Sequence, residues 1–326
     1  MKPSGPSSTP LPWVDPAVAL RFLVDEFLRL ESFSRLVAEA RYHEVLAVVH
    51  SLCATALACE DMGMSRDEIV AILAPVREVH ARSPFVRRLQ EWPRSYPGDF
   101  ETVEYICRGE NRAEVGTLAY ECERYALSSP IAQQHRNKVA HQASRLLHAM
   151  AARPRASRVA SIACGSCPDL RMLLPHLPSL AGEVYLNDSD ADALDYSRRM
   201  LGSVAESFRF VQANALRVAS RLAGAGPFDL VLAGGLFDYL PERHAVFLIG
   251  SVYERLLGEG GTFFFTNIAA GNPYRVLVEY FGDWFLIERS EEEMVRYCVA
   301  AGVPRENVRV SRDESGLALL LEVTKR

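Results

Sequence analysis

The sequence has little of what marks a membrane protein, a nucleic-acid-binding protein or a disulfide-rich protein. No uninterrupted apolar run approaches the ~20 residues that a membrane-spanning helix needs. Asp and Glu (41) outnumber Lys and Arg (36), so the net charge of −5 provides no general attraction for nucleic acid. The seven cysteines are scattered, as reduced thiols of a cytoplasmic protein are. We therefore expect a cytoplasmic protein whose partners are small molecules, with no membrane or nucleic-acid partner.

What the sequence does have is a globular composition, with 49% hydrophobic and 24% charged residues. Residues 1–12 are rich in Pro and Ser and lack the apolar region of a signal peptide, so residues 1–14 are expected to form a flexible arm. The oligomeric state cannot be read from the residues.

The rest of the chain divides into two parts with different patterns. In residues 15–153 apolar side chains recur at helical spacing, which predicts an all-helical domain. In residues 154–326 short apolar strands alternate with helices, and the last two strands are joined by a turn at residues 314–316. The alternation predicts an α/β fold, a Rossmann-like sheet of parallel strands finished by a C-terminal antiparallel hairpin.

The most informative stretch begins at residue 157. Residues 157–169 are predicted to form a buried strand that runs into a tight turn around Gly165 and then into a helix. A second strand ends in Asp188, and the amide of Asn214 follows a third. Doubly wound sheets bind adenosine ligands in this way, because the turn presents backbone N–H groups and the carboxylate can accept both ribose hydroxyls. The sequence therefore predicts a site for a nucleoside-type cofactor.

Parallel strands completed by a hairpin resemble the class I S-adenosylmethionine-dependent methyltransferases more than the dinucleotide dehydrogenases. The resemblance implies S-adenosylmethionine as the cofactor, held by the loops that follow the first four strands. The cofactor-binding residues that it implies are Ala163, Cys164, Gly165, Asp188, Asn214, Ala215, Gly234, Gly235 and Leu236. One departure is that the three glycines usual in the first loop are reduced to Gly165, with Ala163 and Cys167 at the outer positions.

A finer likeness covers roughly residues 90–326. It lies in the segments Pro93-Arg-Ser-Tyr-Pro-Gly-Asp-Phe100, His135-Arg-Asn-Lys138, Leu236-Phe-Asp-Tyr-Leu240 and Glu279-Tyr-Phe-Gly-Asp-Trp-Phe-Leu-Ile287. These segments resemble the bacterial methyltransferases of 3-hydroxypalmitate methyl ester biosynthesis and the azetidine-2-carboxylate synthases. The resemblance implies that the helical part closes over the site as a lid. The catalytic residues that it implies are Tyr96, Asp99, Arg136, Asn137 and Tyr239.

The cofactor residues also allow structural interpretations. Asp188 could be the N-cap of the helix that follows it, although Asp190 is the better candidate for that cap. Cys164 and Cys167 form a Cys-x-x-Cys pair that could serve redox chemistry. No second cysteine pair or Cys/His cluster completes a zinc site, so no metal is expected.

The implied catalytic residues allow structural interpretations too. Asp99 could cap the helix that follows Gly98, and Arg136 and Asn137 could belong to a solvated helix face. An α-carboxylate, however, needs a cationic partner such as the guanidinium of Arg136. Aromatic residues that could hold a sulfonium cation, or simply pack in the core, are Phe237, Tyr239, Tyr280 and Trp284.

The expected function is methyl transfer to a small acceptor, for instance a carboxylic one, in secondary metabolism. A second possibility is that the α-amino nitrogen of S-adenosylmethionine attacks its own γ-carbon, which yields azetidine-2-carboxylate and methylthioadenosine. A third is a non-catalytic regulator that binds the cofactor. The reduced glycine motif favours the third slightly, whereas Asp188, Asn214 and the loop after the fourth strand argue against it.

Overall fold

The computed structural model describes residues 15–32, 38–152, 157–175 and 182–326. The expected N-terminal arm and the expected domain boundary at residue 153 lie outside these residues. The helices are α1 (Pro16–Arg29), α2 (Ala38–Asp61), α3 (Arg66–His80), α4 (Pro84–Glu91), α5 (Phe100–Arg108), α6 (Leu118–Ser128), α7 (Pro130–Ala152), α8 (Pro168–Met172), α9 (Ala191–Leu201), α10 (Val218–Leu222), α11 (Glu242–Arg255), α12 (Arg275–Gly282) and α13 (Glu291–Ala300). The strands are β1 (Ser157–Ile162), β2 (Gly182–Asp188), β3 (Phe208–Gln212), β4 (Phe228–Ala233), β5 (Leu257–Ile268), β6 (Val308–Arg312) and β7 (Ala318–Thr324).

The chain forms two compact units whose boundaries do not follow chain order. Among the described residues, the helical unit comprises 15–32, 38–97, 109–129 and 273–285, and the sheet unit comprises 98–108, 130–152, 157–175, 182–272 and 286–326. Helices α5 and α7, which the sequence places in the helical part, thus belong to the sheet unit, because α7 packs on β1, β4, β5 and β7 and α5 packs on α7. Helix α12 belongs to the helical unit, where it packs on α2, α3 and α4.

The helical unit is built around side chains that recur on one face of each helix. Leu20 and Phe27 of α1, Leu52 of α2, Leu73 of α3 and Tyr280 of α12 are buried in one core cluster. Residues Glu39–Asp61 are, within the described ranges, the stretch that is long and apolar enough to cross a membrane by length and composition. Counting only uninterrupted apolar runs did not indicate this stretch.

Two half-buried carboxylates tie α12 into the helical unit. The Tyr280 hydroxyl donates to Glu60 Oε1 at 2.5 Å, and Arg275 also pairs with Glu60. Desolvation opposes the charge of Glu60, but these hydrogen bonds outweigh it, so the pKa of Glu60 is lowered. At the end of α12, Asp283 accepts hydrogen bonds from Arg66 at 2.6 Å and from Arg77 at 2.5 Å.

The sheet unit contains a seven-stranded sheet in the order β3-β2-β1-β4-β5-β7-β6. Strands β1 to β5 pair in parallel, and β7 is antiparallel to both β5 and β6. The predicted parallel sheet with a terminal antiparallel hairpin is confirmed. The order in which successive strands are added to the sheet reverses between β1 and β4. Doubly wound sheets bind ligands at this point, beyond the carboxyl ends of the strands.

Successive residues of the central strands face opposite sides of the sheet, and both sides are covered. Val159, Leu230 and Phe264 pack with residues of α7 and α8 on one side. Ala160 and Val231 pack with residues of α10, α11 and α13 on the other. Burial on both faces explains why these strands are continuous apolar runs.

Candidate functional site

The loop after β1 has three residues with positive φ angles, and only one of them is glycine. Ala163, Gly165 and Cys167 have φ angles of +52°, +54° and +50°, so all three are left-handed. This conformation costs a residue with a side chain roughly 1–2 kcal/mol. The loop is held from two sides, because Cys164 N–H donates to Asn187 O at 2.9 Å and the Ser197 hydroxyl donates to Gly165 O at 2.8 Å. All three positions at which the resemblance expects glycine therefore have the positive φ that favours glycine.

Asp188 ends β2 directly beside this loop. Its Oδ2 accepts a hydrogen bond from Gly165 N–H at 2.8 Å, and its Oδ1 accepts one from Asp190 N–H at 3.0 Å. Burial raises the pKa of Asp188 above its ordinary value. Asp190, not Asp188, is the N-cap of α9, since its side chain accepts from Asp192 N–H. The structural role that competed for Asp188 thus belongs to its neighbour.

Helix α5 lies over the glycine loop, a contact that the sequence did not suggest. A β-carbon placed on Gly165 would lie 3.4 Å from Cβ of Phe100. Glu104 of α5 accepts hydrogen bonds from the Ser166 hydroxyl at 3.0 Å and from Arg171 Nη1 at 3.0 Å. Desolvation raises the pKa of Glu104, but the hydrogen bonds from Arg171 and Arg108 outweigh it, so the pKa is lowered. Glu104 therefore joins α5 to the loop as a carboxylate.

The two cysteines of the loop are free thiols. A hydrogen bond with Cys167, followed by burial, holds the pKa of Cys164 well above its usual range. Because the thiolate is the reactive form, this environment does not favour redox chemistry.

Asp169, at the start of α8, is a buried acid that the sequence did not single out. Its carboxylate accepts a hydrogen bond from Leu170 N–H at 2.9 Å. Burial raises the pKa of Asp169 to about 6. The end of the glycine loop therefore carries an acid that titrates near neutrality.

After β3, Asn214 is exposed and caps the short 3-10 turn Ala215–Arg217 by accepting from Leu216 N–H at 2.9 Å. Asn214 and Ala215 lie two and three residues after the end of β3, at the same edge of the sheet as Asp188. The neighbouring Asn187 fastens β2 to the β3 end, with Nδ2 donating to Val211 O at 2.9 Å and Ala213 O at 2.8 Å.

The loop after β4 needs glycine at two positions for different reasons. A β-carbon on Gly234 would overlap the side-chain amide of Gln142 from α7. Gly235 has a φ of +88°, and its N–H donates to Thr266 Oγ1 at 3.0 Å. Leu236, half-buried, then leads into the 3-10 turn Phe237–Tyr239.

A buried ion pair and a guanidinium hold this turn in place. Asp238 accepts hydrogen bonds from Lys138 Nζ at 2.8 Å and from Ile268 N–H at 2.6 Å. Arg289 donates to Phe237 O at 2.7 Å and to Asn267 Oδ1 at 2.6 Å. Lys138, Asn267 and Arg289 are therefore positioning residues that sequence spacing could not reveal, and they fix the backbone that carries Tyr239.

Arg136 and Asn137 are engaged with neighbouring elements of the sheet unit. Arg136 Nε donates to Ile106 O at 2.9 Å, and burial lowers the pKa of Arg136. Asn137 Nδ2 donates to Asp313 Oδ2 at 2.8 Å, and its Oδ1 accepts from Gln133 at 2.8 Å. Asn137 thereby fastens α7 to the turn between β6 and β7.

Asp99 and Tyr96 lie in different units. Asp99 is buried and caps α5, accepting from Glu101 N–H at 2.9 Å and Thr102 N–H at 3.2 Å, so the capping role weighed for it is the one that the geometry shows. Tyr96 belongs to the helical unit and is 41% exposed. Asp99, Arg136, Asn137 and Tyr239 lie in the sheet unit.

Three of the four candidate aromatic residues are core residues. Phe237 is fully buried with its ring 4.3 Å from that of Phe265, and Tyr280 and Trp284 are buried in the helical unit. Tyr239 alone among the four is half-buried. Within the described ranges, no group of three or more His, Cys, Asp or Glu side chains could hold a metal ion.

No model of a known protein family matches the chain, and no curated protein matches it in sequence. The chain is similar in structure to a possible exported protein from Bordetella parapertussis, with 15% identity, 96% of this chain and 97% of that chain covered, and a TM-score of 0.57. It is also similar to magnesium protoporphyrin IX methyltransferase from Synechocystis PCC 6803 with bound SAH, with 12% identity, 69% and 93% covered, and a TM-score of 0.50. The fold is therefore the Rossmann-like sheet of the class I methyltransferases, accompanied by N-terminal helices.

Proposed function

We propose that this chain is an S-adenosylmethionine-dependent enzyme that transfers a methyl group to a small-molecule acceptor. The observation that carries the proposal is Asp188 at the carboxyl end of β2, whose carboxylate accepts from Gly165 N–H in the left-handed loop after β1. A strand-end acid beside a glycine loop at the switch point of a doubly wound sheet is the arrangement that binds adenosine ligands. The methyltransferase neighbour with bound SAH supports the same choice.

The residues at this edge fit such a ligand. The backbone N–H groups of Gly165 and Asp190 each bond to a different oxygen of Asp188, so both oxygens keep a lone pair that can accept from a ribose hydroxyl. Asn214 and Ala215 would contact the adenine edge, and Ala163, Cys164 and Gly165 the methionyl arm. Gly234, Gly235 and Leu236 would face the sulfonium.

The cofactor, when bound, supplies a methyl group already activated by its sulfonium. The chain's own residues then need only orient the reactants and exclude water. Helix α5, fastened by Glu104, covers the glycine loop, and Gln142 fills the space over Gly234. The Lys138–Asp238 pair fixes the backbone beside Tyr239, whose ring is the candidate to face the cation.

The catalytic assignments are narrower than those expected from the sequence. Arg136 is kept as the cationic group for the α-carboxylate of the cofactor. We assign Asp99 and Asn137 positioning roles, because their side chains cap α5 and fasten the β6–β7 turn. Tyr96 as a lid residue and the cytoplasmic location stay predictions.

One observation favours the intramolecular alternative. Cyclisation to azetidine-2-carboxylate requires the α-amino nitrogen to lose its proton before it attacks the γ-carbon. Asp169, buried beside the loop assigned to the methionyl arm and with a pKa raised to about 6, has the properties of a base for that proton. The finer likeness to azetidine-2-carboxylate synthases is consistent with this second candidate.

The test is to incubate the purified protein with S-adenosylmethionine, first alone and then with a panel of carboxylic acids and carboxamides. Adenosylhomocysteine that forms only with an acceptor would support methyl transfer. If the enzyme forms methylthioadenosine without an acceptor, together with an equal amount of a cyclic amino acid, the reaction is cyclisation and not methyl transfer. Tight binding of S-adenosylmethionine in calorimetry, with neither product formed, would indicate a non-catalytic regulator that binds the cofactor. An Asp188→Asn variant and a no-enzyme sample are the controls.

A further inference from the structure

Helix α7 carries three polar side chains, four residues apart, on one buried stripe. Gln134, Lys138 and Gln142 are 0%, 3% and 9% exposed. Gln142 occupies the space over Gly234 and donates to Lys138 O at 3.3 Å, and Lys138 pairs with Asp238 at 2.8 Å. Two of the three polar groups thus have partners in the loop after β4 or in the helix itself.

Gln134 differs from the other two. Neither its Oε1 nor its Nε2 has a hydrogen-bond partner in the part of the chain that the structure describes, and both atoms are buried. Buried polar groups are nearly always hydrogen-bonded in folded proteins, because an unsatisfied one loses water without replacement. A buried amide lacking both partners therefore indicates a group that a ligand completes.

The position of Gln134 follows from the geometry of α7. Gln142 lies against Gly234, the residue directly after the end of β4. At 1.5 Å per residue, Gln134 lies about 12 Å farther along the helix axis. Spacings of four residues keep it on the same face as Lys138. Gln134 is therefore on the stripe that extends beyond the carboxyl end of β4, where doubly wound sheets bind ligands.

The charges around Gln134 on α7 are compensated or turned away. Lys138 is paired with Asp238. Burial lowers the pKa of His135 well below its usual range, so its ring is neutral. Arg136 is two residues on and lies on the opposite side of the helix, where its Nε donates to Ile106 O. A ligand group that hydrogen-bonds to Gln134 therefore has no uncompensated positive charge beside it on this stripe of α7.

We propose that Gln134 binds the acceptor of the methyl transfer by an uncharged carboxamide-type group, a substrate class that rests on the proposed function. The Nε2 of Gln134 donates to the ligand carbonyl, and its Oε1 accepts from the ligand N–H. A carboxylate has only hydrogen-bond acceptors. It would leave Oε1 of Gln134 without a donor, and its negative oxygens would repel Oε1. A site built for a donor and an acceptor discriminates strongly against ligands that lack one of them.

The test uses hexanamide and hexanoate as probes on protein saturated with adenosylhomocysteine. Two hydrogen bonds predict that Gln134→Leu weakens hexanamide binding by about tenfold. Hexanoate should bind the native protein more weakly than hexanamide does. In protein labelled with ¹⁵N-glutamine, the side-chain NH₂ signal of Gln134, assigned by its loss in Gln134→Leu, should shift when hexanamide is added.

A second measurement uses the free protein. Gln134→Leu should raise Tm, because it removes two unsatisfied polar groups at nearly constant volume. Gln133→Leu is the matched control on the exposed face of α7; because it removes hydrogen bonds to Asn137 and Arg136, it should not raise Tm, and it should leave hexanamide affinity nearly unchanged.

Three results would overturn the proposal: equal hexanamide affinity in native protein and Gln134→Leu, hexanoate binding as tightly as hexanamide, or a lower Tm in the variant. Adenosylhomocysteine binding is measured first by calorimetry. If adenosylhomocysteine does not bind, the proposed function is wrong. If it binds and any of these three results is found, only the carboxamide assignment is wrong.

Discussion

Removal of the buried charge of Asp169 should stabilise the protein, but only above mildly acidic pH. Asp169 is 4% exposed, and burial raises its pKa to about 6 from 3.8. The folded state therefore holds this proton more tightly than the unfolded chain does. The stabilisation that comes from holding this proton is fully present below about pH 4, and it is lost as the pH rises through about 6.

The magnitude follows from the same shift. About two pKa units at 1.36 kcal/mol each correspond to about 3 kcal/mol of destabilisation once Asp169 is ionised. Asp169→Asn removes the charge and keeps an oxygen that can accept from Leu170 N–H. The difference in stability between variant and native protein should rise by up to about 3 kcal/mol between pH 4 and pH 7, or about 4 °C in Tm for a chain of 326 residues.

Thermal unfolding of both proteins from pH 4 to pH 8 measures this difference. The added amide of asparagine contributes a constant offset, so the slope with pH, not the absolute value, is the readout. Asp192→Asn, at an exposed first-turn acid of α9, is the matched control for the substitution itself. Parallel curves for native protein and Asp169→Asn would refute the reasoning, because the carboxyl would then titrate alike in the folded and unfolded states.

Three further predictions concern the loops around the site. Lys138→Met should lower the unfolding free energy by about 3–5 kcal/mol, because it leaves a buried carboxylate unpaired, and adding Asp238→Asn should restore part of it in thermal unfolding. Glu104→Ala should lower Tm and weaken adenosylhomocysteine binding in calorimetry, since α5 loses its hold on Ser166 and Arg171; unchanged affinity would mean that α5 does not shape the loop. Cys164→Ala with Cys167→Ala should keep turnover under reducing conditions, and loss of turnover with cofactor binding intact would indicate thiol chemistry.

Local patterns were sufficient to predict the elements of the sheet unit. Apolar runs closed by Asp188 and Asn214 located β2 and β3, and the turn at residues 314–316 located the terminal hairpin. The capping boxes at Ser65 and Ser290, which begin α3 and α13, are local signals of the same kind, since such a cap is made within four residues of sequence. The resemblance of the strand pattern also supplied the class I fold.

Contacts between distant parts of the chain could not be predicted in this way. The bond from Glu104 to Ser166 spans 62 residues and the Lys138–Asp238 pair spans 100, and no periodicity encodes them. The same limit explains the domain assignment. The buried stripe of α7 looks the same in sequence whether it packs on helices or, as here, on β1 and β4.

The central claim is that Asp188 holds the ribose of S-adenosylmethionine in a class I methyltransferase fold. Calorimetry with adenosylhomocysteine, on native protein, Asp188→Asn and Asp190→Asn, tests it most directly. Asp188→Asn should bind about ten- to a hundredfold more weakly, because charge-assisted hydrogen bonds are lost. Asp190→Asn, which changes the cap of α9 and keeps the Asp188 carboxylate, should bind nearly as native. No binding to the native protein, or equal affinity in native protein and folded Asp188→Asn, would contradict the account.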